Sequence, residues 1–98
     1  MSRVVLLTKN LMDVSRVQSA VSDVIVAHTL DDEEIALADL ILLDLTTGLS
    51  PEDVVSIGPP VVAYGPHVDV IALKAAADAG CLALPRSQVF RRLPQLLG

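Results

Sequence analysis

A chain of 98 residues is the size of one domain, spanning 1–98, and an apolar content of 52% is enough to bury a core. Twelve acids against seven bases give a formal charge of −5, and no basic stripe exists to track phosphates, which excludes nucleic-acid binding by this chain alone. The apolar set is Val, Leu, Ile and Ala with one Phe, one Tyr and no Trp, which suits interior strands covered on both faces and not an interface of aromatic anchors.

In chain order, "RVVLLT" (3–8) is a short apolar run expected as a buried strand. "LMDVSRVQSAV" (11–21) follows with Leu11, Val14, Val17 and Val21 at helical spacing. "DVIVAH" (23–28) is a second strand. "DDEEIALAD" (31–39) is a short helix whose acids favour its N-terminal turn. "LILLDL" (40–45) is the third and most apolar strand, and it carries a single acid, Asp44, at its end. A carboxylate there is costly unless something uses or satisfies it.

"SPEDVVSIG" (50–58) has Ser50 as expected N-cap and Pro51 at the first helical position, with Gly58 and two prolines ending it. "VVAYG" (61–65) is the fourth strand. "DVIALKAAADAG" (69–80) is a helix stopped by Gly80, with Asp69 or His67 as cap. "CLAL" (81–84) is the fifth strand. "SQVFRRLPQLL" (87–97) is expected to start at Ser87, and Pro94 should kink or end it. Five strand–helix repeats with short connections imply a doubly wound parallel sheet with right-handed crossovers. In such a sheet the carboxyl ends of the strands share one rim, which gives Asp44 neighbours at Thr8–Lys9–Asn10, His28, Gly65–Pro66–His67 and Pro85–Arg86–Ser87.

With those strand ends in view, the sequence resembles a response-regulator receiver domain over essentially its whole length. The resemblance is strongest in "LILLDLTTG" and in "PPVVAYGPHVDVIALKAAADAGCLALPRS" (59–87). It implies a flavodoxin-like (βα)5 fold with strand order 2-1-3-4-5, and it puts Asp44 on the phosphoacceptor position. The rest of the phosphotransfer set departs from the family. Thr8 and Lys9 stand where an acid pair holds Mg²⁺, and a lysine there opposes the cation. Gly65 stands where a hydroxyl bonds the phosphoryl group. Ala83 replaces the aromatic switch, Arg86 the invariant lysine, and Ser87 the proline after it.

The expected reading is therefore a pseudo-receiver: a non-catalytic protein-interaction module in signalling, with no enzyme activity and no cofactor or metal. Asp44 is expected to pair with Lys9 or Arg86 in place of the metal and phosphate, since an arginine can bind a carboxylate through two bonds. The alternatives are an atypical phosphoacceptor regulator using Asp44, and a small-molecule binder using the rim. Lys74, Asp78, Arg91 and Arg92, on the last two helices, are the expected partner face, for an unidentified protein or a second copy. Apolar runs are too short to span a membrane and Arg3 and Lys9 interrupt the first of them, so a cytoplasmic protein is expected. His28 and His67 lack metal-ligand spacing. Cys81 is the only cysteine and is expected to be core packing. No phosphate-binding glycine loop and no G-x-S-x-G elbow occurs.

Overall fold

The computed structural model describes residues 3–21 and 23–97. Five strands form the sheet: β1 (Val4–Leu7), β2 (Ile25–Ala27), β3 (Leu40–Asp44), β4 (Val61–Gly65) and β5 (Leu82–Pro85). Their order is β2-β1-β3-β4-β5 and every pair is parallel. The helices are α1 (Leu11–Ala20), α2 (Pro51–Val55), α3 (Val70–Ala79), α4 (Arg86–Arg91) and α5 (Leu93–Leu97). Two 3₁₀ turns, Glu33–Leu37 and Leu45–Thr47, complete the chain order. The fold is the flavodoxin-like one expected of a receiver. Among the described residues no helix is long and apolar enough to cross a membrane.

Strand alternation splits the core into two layers. Val5, Leu7, Ile41, Leu43, Val61 and Ala63 pack on one face against Ile35, Val54 and Ala76, from the 33–37 turn, α2 and α3. Val4, Leu6, Leu42, Val62 and Tyr64 pack on the other against Val17, Val89 and Leu93, from α1, α4 and α5. Both faces of β1 and β3 are covered, which explains why these strands are apolar without interruption.

Four local expectations change. In α1, Leu11 is exposed and Asp13 is buried. At 100° per residue Leu11 lies about 120° around the helix from Val17, whereas Asp13 lies only about 40° from it. The 31–39 segment forms a 3₁₀ turn over five residues, with Asp32 accepting from the Glu34 amide. Ser50 is the N-cap of α2 by position but makes no side-chain cap bond, whereas Asp69 caps α3 through the Ala72 amide. Ser87 does not start the last helix: β5 runs on through Pro85 and α4 begins at once with Arg86. Pro94 acts as expected, since the helix breaks at Arg92 and resumes as α5 with the proline in its first turn, where no amide hydrogen is needed.

Candidate functional site

The site lies at the carboxyl rim of the α1/α4/α5 layer. Residues of even number face that layer along β1, β3 and β4, so Leu6 is followed by Thr8, Leu42 by Asp44 and Val62 by Tyr64. Helix α1 brings Asp13 over the same spot, and α4 brings Arg86. Asp44, Thr8 and Asp13 are the buried polar residues of the protein, among those described.

Asp44 is 4% exposed, and its carboxylate is satisfied by donors from its own neighbourhood. The Thr8 hydroxyl donates to Oδ2 at 2.6 Å. The Thr46 amide and hydroxyl both donate to Oδ1, at 2.9 and 2.7 Å. Asp44 is thus the N-cap of the Leu45–Thr47 turn, which closes at Gly48 with φ +82°. The positive φ suits glycine at that turn end. The Thr47 hydroxyl donates to the Asp44 carbonyl at 2.8 Å and tightens the same turn. Thr8 in turn accepts from the Asn10 amide at 3.1 Å, where Asn10 caps α1.

The expected ion pair of Asp44 with Lys9 or Arg86 is not formed. Lys9 lies beyond the end of β1 and is exposed. Arg86 forms its ion pair with Asp13, donating from Nη1 to Oδ2 and from Nη2 to Oδ1. Because Arg86 leaves from the start of α4 and not from the strand end, its side chain meets α1 first. Arg86 is about one-third exposed and Asp13 fully buried, so water reaches one side of the pair. The Tyr64 hydroxyl donates to Asp13 Oδ2 at 3.0 Å, which completes the acid's partners. No buried side-chain polar atom is left unpartnered among the described residues.

Two aromatic contacts brace this network. The Tyr64 and Phe90 rings meet edge to face with centroids 5.5 Å apart. The Arg86 guanidinium lies 4.9 Å from the Phe90 centroid and that of Arg16 lies 5.1 Å from it. Burial holds the Tyr64 phenol far above its ordinary range, and the charges of Asp13 and then Asp44 push it further up. Hydrogen bonding to Asp13 raises Arg86, against a smaller opposing effect of its own burial. Burial also raises the Cys81 thiol, which keeps it protonated and inert as a nucleophile.

A receiver's Mg²⁺ does not fit these residues. The hydroxyls at 8 and 46 point their hydrogens into the Asp44 carboxylate, and both Asp13 oxygens are committed to Arg86 and Tyr64. Magnesium requires free oxygen donors in near-octahedral array. Gly65 ends β4 beside Leu45, and a β-carbon there would meet Leu45 Cβ at 3.5 Å, an ordinary contact. Ala83 sits half-buried in β5, opposite Ala63. His28 and His67 are both exposed, and no group of three metal-ligating side chains occurs among the described residues. Lys74 and Asp78 bond each other at 3.1 Å on the exposed side of α3, and Arg91 and Arg92 are exposed at the end of α4.

Asp13 is the residue that the sequence reading passed over. Its signal was the helical period: position 13 lies one turn before Val17, so a helix that buries Val17 buries an acid with it. A buried acid then demands a cation, and Arg86 supplies it.

The strand order and the helices on both faces define a receiver-like fold. The solved structures include a crystal structure of a response regulator from Thermotoga maritima that is similar to this chain. The two superpose with a TM-score of 0.62 at 13% sequence identity, covering 99% of this chain and 98% of that one. At that identity the likeness is one of fold. No family model matches the sequence, and no curated protein matches it.

Proposed function

We propose that the chain is a pseudo-receiver: a non-catalytic, cytoplasmic signalling module that binds a protein partner and takes no phosphoryl group at Asp44. One observation carries this reading. The carboxylate at the phosphoacceptor position already receives three internal hydrogen bonds, from Thr8 and Thr46, and serves as a turn cap. Lys9 and Gly65 support it, because neither supplies what phosphotransfer draws on at those places: an acid for the metal and a hydroxyl for the phosphoryl oxygen. The face for the partner is the pair of helices flanking β5, with Lys74 and Asp78 on α3 and Arg91 and Arg92 at the end of α4. Exposed Ile71 on α3 and half-exposed Leu82 on β5 add apolar surface there.

The test is intact-protein mass spectrometry after treatment with acetyl phosphate and Mg²⁺. No stable phosphoryl adduct is expected. An adduct that disappears in Asp44→Ala would replace this reading with that of an atypical phosphoacceptor.

A further inference from the structure

A groove of about 470 Å³ opens between α1 and the α4–α5 segment, lined by Arg16, Ser19, Ala20, Phe90, Leu93 and Pro94. Phe90, Leu93 and Pro94 make it apolar, and Arg16 gives one wall a positive charge. Arg16 and Arg86 stack on Phe90. Two of the seven bases of an acidic chain therefore meet at Phe90. Residues 86–97 contain no acid, and the only one in α1 is Asp13, buried and paired.

The chain carries the complement of this groove on another surface. In the Glu33–Leu37 turn, Ile35 is buried in the core. Residues three apart eclipse in a 3₁₀ turn, so Glu34 and Leu37 form one outward ridge. Leu37 is 61% exposed, and Asp31, Asp32, Glu33 and Glu34 around it are all exposed. An exposed leucine with acids beside it matches an apolar floor with Arg16 and Arg86 beside it.

We infer that two copies of this chain associate head to tail, with the Glu34–Leu37 ridge of one seated in the α1–α4–α5 groove of the other. Charge selects ridge against groove over either patch meeting its own copy. Groove against groove would oppose arginine to arginine, and ridge against ridge would oppose acid to acid. The occupant is a second copy because the ridge supplies both parts of the match, the exposed leucine and the acids, on one turn. This contact lies apart from the face flanking β5 and does not depend on whether Asp44 takes a phosphoryl group.

Sedimentation equilibrium of the full chain over a micromolar to millimolar range tests it. The average mass should rise with protein concentration in dilute buffer and fall back as salt screens the charges. Arg16→Glu and Glu34→Lys should each weaken association about tenfold or more, as expected for loss and reversal of a contact charge. The double variant R16E/E34K should recover most of the wild-type association, because the charges are then exchanged. Leu37→Ser should weaken association without changing its salt dependence. Arg16, Glu34 and Leu37 are exposed, so the variants should keep the wild-type circular dichroism and urea midpoint. A chain that stays monomeric throughout would overturn the contact. So would loss with Arg16→Glu but not with Glu34→Lys, which points to another acidic occupant, or a double variant no better than the single ones.

Discussion

The Tyr64 phenol offers a clean test of the network at the rim, because it is the only tyrosine and the chain has no tryptophan. Burial and two nearby carboxylates keep it protonated in the folded state well beyond the range in which an exposed tyrosine ionises. Its folded pKa is raised, so its contribution to stability is complete below the unfolded value of about 10 and is lost as pH rises above it. The unfolded chain releases this proton and the folded chain retains it. The loss is small at pH 9, about 1.4 kcal/mol at pH 11 and about 2 kcal/mol at pH 11.5, at one proton per molecule. A domain of this size has a stability of about 5–15 kcal/mol, so it should remain folded long enough to be measured.

Urea denaturation of the wild type and Tyr64→Phe across this range isolates the effect. Ionisation of exposed lysines affects both proteins alike and drops out of the difference. At neutral pH, Tyr64→Phe should be less stable by about 1.5–3 kcal/mol, the worth of a hydrogen bond to a charged acceptor. That gap should close by about 1.4 kcal/mol at pH 11. Absorbance at the phenolate band should show no ionisation until the chain unfolds. A reversible phenolate step near pH 10 in a protein still folded by circular dichroism would refute the reasoning, as would parallel pH profiles for the two proteins.

Asp13→Ala should cost about 3 kcal/mol, the lower end for a broken buried ion pair because Arg86 stays partly wet, and Asp44→Ala should cost less, about 1–2 kcal/mol. The reverse order in urea denaturation would show that Asp44, and not Asp13, is the centre of the network. Gly65→Ala should stabilise by about 0.5–1 kcal/mol, since the backbone there is ordinary strand and the new methyl meets Leu45 at contact distance. Gly80→Ala should instead destabilise by about 1 kcal/mol or more in the same assay, because φ is +110°, where a side chain is strained.

The sheet was legible because it rests on periodicity. Alternating apolar runs and helical stripes require only that residues of one kind recur at 2 or 3.6, and the short connections then leave one handedness and one parallel order. Element ends were less legible. Ser87 carries cap chemistry, yet Pro85 ends β5 so abruptly that the helix starts before it. The rim was legible as a meeting place but not as a set of bonds. The strand ends do bring Thr8 and Asp44 together, with Arg86 just past the end of β5, and the choice of partner then turns on where each side chain leaves its backbone. Arg86 leaves from a helix and reaches Asp13, while Thr8 leaves from the strand and reaches Asp44. The acid that settles this, Asp13, reads in the sequence as one more charge in the first turn of an amphipathic helix.

The placing of charge around the two central strands also matters before the protein folds. Asp39 and Asp44 bracket Leu40–Leu43, and Arg3 and Lys9 bracket Val4–Thr8. In the native sheet the two brackets are tied at one end, with the Arg3 amide donating to Asp39 at 2.7 Å. In a chain just released from the ribosome, or refolding from denaturant, these same two runs have the high β-propensity and low internal charge that favour amyloid-like stacking. A single charge at each end is the arrangement of gatekeepers, because in-register stacking would pile like charges at every layer of a fibril. Asp44 and Lys9 make no bond to each other in the native sheet, yet each sets a like charge at the end of an apolar run, where it opposes in-register stacking of that run while a parallel sheet, slow to assemble from distant segments, is still forming.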